Sequence, residues 1–140
     1  MNDLKSGLLD IAGVLINPNS KLSDIKSKLP LDKVNIIKVD QENESIRLLG
    51  PVEIGNKDFY VVLAFFNKGI RRIELRTADP TIDEWDYKSM LAQHGDWLVE
   101  QIGHPEGILD ENIFQWGKII QWDDPRAHDA GIKILYFQHQ

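Results

Sequence analysis

The stretch FYVVLAFF, Phe59 to Phe66, constrains this chain more than any other. Eight apolar or aromatic residues in a row, rich in β-branched and aromatic types, favour a strand over a helix. The polar turn NKG, Asn67 to Gly69, follows at once. Beyond it, IRRIELRTA alternates Ile73 and Leu75 with Arg72, Glu74 and Arg76, the period-two pattern of a half-solvated strand. A short turn between two strands implies antiparallel pairing. FYVVLAFF is therefore expected to be the central strand, buried on both faces, with IRRIELRTA beside it.

Other strands fit around this hairpin. Leu8 to Ile16 is expected as a strand with an irregularity at Gly13, and Val34 to Asp40 as a second. Ser45 to Ile54 is expected as a third, with Gly50-Pro51 marking a bend. FQWGKIIQW and GIKILYF form a terminal pair, in which Phe114 and Trp116 alternate on one strand and Ile132, Ile134 and Tyr136 on the other.

Two helices complete the pattern. Leu22, Ile25 and Leu29 recur at helical spacing, with a cap at Ser20 or Ser23 and a stop at Pro30. Tyr87, Met90, Leu91, His94, Trp97, Leu98 and Ile102 mark a long helix from about Thr81 to Ile102. Asp83, Glu84 and Asp86 would sit in its first turn, where carboxylates suit the helix dipole, and Gly103 and Pro105 would end it. The expected fold is α+β: a curved antiparallel sheet of about six strands, one long helix packed on a face, and a short N-terminal helix. At 140 residues the chain is expected to form one domain, spanning 1–140.

Charge narrows the function classes. Residues 1–78 hold 12 Lys/Arg and 10 Asp/Glu, whereas residues 79–140 hold 4 and 12. The balance moves from +2 to −8, which disfavours direct contact with nucleic acid and favours a basic protein partner. No apolar run approaches the length of a membrane span, and Asp10 interrupts the apolar stretch near the start. The absence of cysteine excludes disulfides and thiolate metal ligands. The expectation is a soluble cytoplasmic protein with no membrane contact. No cofactor is implied.

Candidate sites separate by spacing. QWDDPRAHDAG, Gln121 to Gly131, crowds Asp123, Asp124, His128 and Asp129 together. The spacing matches neither a calcium loop nor a zinc motif, and Asp-Pro with a following glycine suits a hairpin turn. His94 lies on the apolar stripe of the long helix, which suits a packed side chain; His104 and His139 fall in a loop and the tail. No nucleophile or phosphate-loop motif is present, so no catalytic residue is assigned. Asp86, Gln93, Asp96 and Glu100 are spaced to share the polar face of the long helix, with Lys88 its only lysine. Asp110, Glu111, Asp123, Asp124 and Asp129 add acids from neighbouring loops. Trp122, like Trp85, stands beside acids at the end of an element, where an exposed aromatic suits an interface hot spot. Trp97 and Trp116 are expected in the core.

The last third, DWLVEQIGHP followed by FQWGKIIQWDDPRAHDAGIKILYF, resembles small bacterial immunity-type proteins of contact-dependent and polymorphic toxin systems. The WG pair opening a hairpin, the D-x-R in its loop and the closing I-x-I-x-Y strand carry the resemblance, over about 40 of the 140 residues. It implies a protein that binds and neutralises a toxin, often a basic nuclease, by blocking its active site. The expected function is non-catalytic binding through the acidic residues named above. Two alternatives stand beside it. One is a small metal-binding protein or enzyme using His94, His128 and nearby aspartates. The other is a housekeeping module that self-associates through a sheet edge.

Overall fold

A computed structural model describes residues 2–83, 86–103 and 112–137. The chain forms an α+β fold with an eight-stranded antiparallel sheet. Two strands more than the expected six arise from the treatment of proline and of a loop end. Gly50-Pro51 breaks the expected strand in two, giving β4 (Asn43–Leu48) and β5 (Val52–Ile54), and β5 pairs with the start of β6 (Lys57–Phe66). Proline lacks the N–H that a continuous ladder requires. Asn112–Ile113 adds a two-residue strand, β8, at one border.

The main order is β3-β4-β6-β7-β10-β9-β8, where β3 is Val34–Lys38, β7 is Gly69–Thr77, β9 is Gly117–Asp124 and β10 is Asp129–Tyr136. Phe114 to Trp116 form the turn between β8 and β9 rather than alternating along a strand, closed by the Phe114 N–H on Gly117 O. The first expected strand is instead a separate hairpin of β1 (Leu9–Ile11) and β2 (Val14–Ile16). Ala12 and Gly13 both take positive φ, 53° and 82°, which makes the two-residue turn that reverses the chain.

α1 spans Leu22–Lys28 as expected, but neither serine caps it by side chain. Ser20 Oγ accepts the Asn17 N–H, and the helix entry is tied instead to the β6–β7 turn through the Leu22 N–H on Lys68 O. α2 spans Tyr87–Ile102, six residues shorter at its start than the spacing suggested. Asp86 is its cap: the carboxylate accepts the Ser89 N–H at 3.1 Å and the Ser89 hydroxyl at 2.6 Å. Asp83 and Asp86 therefore precede the first turn, which contains no acid. Asp79 holds Thr81 in a turn of its own, accepting both its N–H and its hydroxyl.

The core lies between one face of the sheet and the helices. Rows such as Leu63–Ile73–Ile134–Ile119 run across four strands and are wholly buried. Met90, His94, Trp97, Leu98 and Ile102 of α2 pack against this face. The opposite face faces solvent, so β6 is not buried on both sides as expected. Phe59, Val61, Leu63 and Phe65 are buried, while Tyr60 is 51% exposed and Val62, Ala64 and Phe66 are half-buried. No described helix crosses that side, and an antiparallel sheet tolerates water on one face. Trp116 Nε1–H donates to Lys5 O and the Tyr136 hydroxyl to Gly7 O, pinning the N-terminal segment to the β8–β9 turn and to β10.

Candidate functional site

The expected site residues separate into four groups. Asp86 caps α2, and the β9–β10 hairpin carries Asp123, Asp124 and Asp129. These come to the same end of the molecule: the Tyr87 ring, next to the cap, lies 5.9 Å from the His128 ring at the hairpin tip. Asp96 and Glu100 are exposed further along the same helix. Gln93 is turned inward. Asp110 and Glu111 lie outside the described residues, as do Trp85, His104 and His139.

Gln93 departs from the expected polar face because it sits at the border of the packed stripe, within reach of β7. Its Oε1 accepts from the Thr77 hydroxyl at 2.9 Å and from Lys57 Nζ at 3.1 Å, and its Nε2–H donates to Asp79 at 2.7 Å. The Gln93 amide, then the Thr81 hydroxyl and N–H, hold the Asp79 carboxyl down at about 2. Gln93 thus ties α2 to the sheet and is half-buried. The solvent side of α2 carries Lys88, Ala92, Asp96, Val99 and Glu100, which is less one-signed than the spacing suggested.

The segment Asp124 to Asp129 is a hairpin turn. Asp124 pairs with Asp129 across the ladder, and Asp124 Oδ1 accepts the N–H groups of Arg126 and Ala127. His128 takes a positive φ of 51° to re-enter the sheet. Asp129 forms an ion pair with Arg76 at 3.2 Å, a partner on β7 that no local spacing reveals. An open cleft of about 360 Å³ beside this pair is lined by Tyr60, Arg76, Asp79, Asp83 and Met90.

Trp122 lies on the solvent side of the sheet, half-buried across Gly131, its cross-strand neighbour. A Cβ at Gly131 would come within 2.8 Å of the indole, so glycine is what lets the ring lie flat. Lys133 stands 5.5 Å from the ring centroid. The tryptophan is anchored rather than projecting, and its packing follows from the register that the hairpin turn sets.

His94 is fully buried. Its Nε2 accepts the Thr77 N–H at 2.9 Å, and its ring stacks 6.3 Å from that of Phe59. Burial, helped by the nearby Lys57 and Arg76 cations and opposed by Asp129, lowers its pKa to about 4. The ring is neutral at neutral pH, and its acceptor nitrogen is already taken by the backbone. His128 contacts Tyr87 instead, so the two histidines serve separate packing contacts. Among the described residues, no group of three or more His, Asp or Glu side chains converges as a metal site would require. No helix of the described chain is long and apolar enough to cross a membrane.

Comparison with family models, with curated proteins and with solved structures finds no match to this chain.

Proposed function

We propose that this chain is a non-catalytic binding protein of the immunity type, which neutralises a basic toxin domain, a nuclease being the favoured class, in the cytoplasm. The observation that carries the reading is the Tyr87–His128 contact. It gathers carboxylates from two distant stretches, Asp86 and the Asp123–Asp124 pair, at one end, with Asp96 and Glu100 extending the charge along α2. In this reading the sheet curves about α2, so that helix and hairpin meet one partner together. Carboxylates there would occupy the groove that takes phosphate in the toxin, and long-range attraction would speed encounter.

The test measures association of the purified chain with the toxin domain encoded beside it. Asp96→Lys combined with Glu100→Lys is expected to slow association at low salt and to leave dissociation nearly unchanged. An unchanged association rate at low salt removes the helix face from the interface.

A further inference from the structure

β3 (Val34–Lys38) ends the sheet, and among the described residues no strand pairs with its outer side. An edge of this kind is normally blunted by charge, proline or a bulge. This one is not. Its sequence VNIIK carries a single charge, and it pairs with β4 in unbroken register from Val34↔Leu48 to Lys38↔Glu44. Of the ten large apolar side chains left exposed among the described residues, five lie on or beside it: Leu31, Ile36, Ile37, Val39 and Leu49.

The hydrogen-bond phase of the edge follows from its flanks. The Leu49 N–H donates to Lys33 O, and the Val39 N–H donates to Asn43 O. In an antiparallel ladder, alternate residues point their polar groups to alternate sides. Lys33, Asn35, Ile37 and Val39 therefore address β4. Val34, Ile36 and Lys38 direct their N–H and C=O groups outward, away from the sheet.

We propose that this edge pairs with the same edge of a second copy, antiparallel about a two-fold axis through Ile36, to make one continuous sheet. A two-fold axis normal to the sheet pairs only residues that face the same side. Centring on Ile36 places Ile36 against Ile36 of the second copy, Val34 against Lys38 and Asn35 against Ile37. All three outward N–H groups and all three outward C=O groups of each copy then find partners, in hydrogen-bonded pairs. Charge supports this register. Lys38 of each copy faces Val34 of the other, diagonally near the Leu31–Lys33 turn that bears Asp32. Moving the axis to Ile37 would instead set the two Lys38 side chains diagonally against each other. The β9–β10 hairpin lies on the far side of the sheet, so this pairing leaves the acidic end uncovered and does not depend on the proposed function.

Light scattering across a concentration series, with two single-cysteine variants, tests both the dimer and its register. The wild type is expected to have twice the 16.1 kDa mass of one chain. Ile36→Lys is expected to halve that mass with an unchanged circular dichroism spectrum. The chain has no cysteine of its own, so each introduced thiol is unique. In this register the Cα atoms at position 36 lie about 5.5 Å apart, within disulfide reach, whereas those at position 35 lie about 8 Å apart, beyond it. Ile36→Cys is expected to oxidise to a covalent dimer and Asn35→Cys to remain a single chain. A wild type that stays monomeric at its highest soluble concentration overturns the proposal and leaves the edge to a strand of another protein. Equal cross-linking of both cysteine variants, or a dimer that survives Ile36→Lys, overturns it as well.

Discussion

Acidification should destabilise this protein through His94 over a window in which carboxylates contribute little. The folded pKa is about 4, against 6.5 for the exposed side chain. Above the unfolded value both states hold a neutral ring, and stability is undiminished. As pH falls below it, the unfolded state takes up a proton that the folded state refuses until about pH 4. The difference of roughly 2.5 units, at about 1.36 kcal/mol each, amounts to a loss of about 3 kcal/mol. That is a large part of the ~5–15 kcal/mol that holds a typical domain together. Asp79, Asp40 and Asp86 have carboxyls lowered from their usual range by hydrogen bonds, so their contributions are lost only at still lower pH. Urea unfolding of the wild type and of His94→Gln, at a series of pH values down to about 4.5, isolates the histidine. Glutamine keeps an acceptor for the Thr77 N–H and does not titrate. The wild-type curve should fall relative to the variant as pH drops. Parallel curves would show that burial does not exclude the proton, and the reasoning would fail.

Other substitutions test the fold elements that position the acidic end. A Cβ at Gly117 would collide with Leu135 O, a backbone atom with no room to retreat. Gly117→Ala should therefore destabilise the β9–β10 hairpin by about 3 kcal/mol or more, read from its urea midpoint. Asp86→Ala removes the α2 cap and should cost about 1 kcal/mol, while Asp86→Asn should recover most of that loss in the same assay.

Much of the architecture was legible because it depends on local chemistry. The alternation of Ile73 and Leu75 with Arg72 and Glu74 marked β7, and the turn Asn67 to Gly69 marked its antiparallel partner. Where the expectation failed, a side chain had a choice that sequence spacing does not record. The long helix was expected from about Thr81, yet Asp79 captures Thr81 in a turn and Asp86 caps the helix later. β6 is apolar enough for burial on both faces, but whether a layer covers each face is a property of the whole fold.

The candidate site was legible in part for the same reason. Asp123, Asp124 and Asp129 were recognisable as a hairpin turn from their own chemistry. Gln93 shares a helical face with Asp86 and Glu100 on spacing alone, but Lys57 on β6 and Thr77 and Asp79 at the end of β7 draw it inward from two other segments. The Arg76–Asp129 ion pair and the meeting of Tyr87 with His128 join segments more than 40 residues apart, beyond the reach of any local pattern.

Protection of a host cell is the most direct test of the account. If a toxin domain is encoded beside this chain, it would be expressed alone, with the wild type, and with a variant carrying Asp96→Lys and Glu100→Lys, both exposed on α2. The wild type should restore growth, and the variant should fail to do so while matching the wild type in its urea midpoint. A folded variant that protects as well as the wild type, or a gene neighbourhood of metabolic enzymes with no toxin, would contradict it.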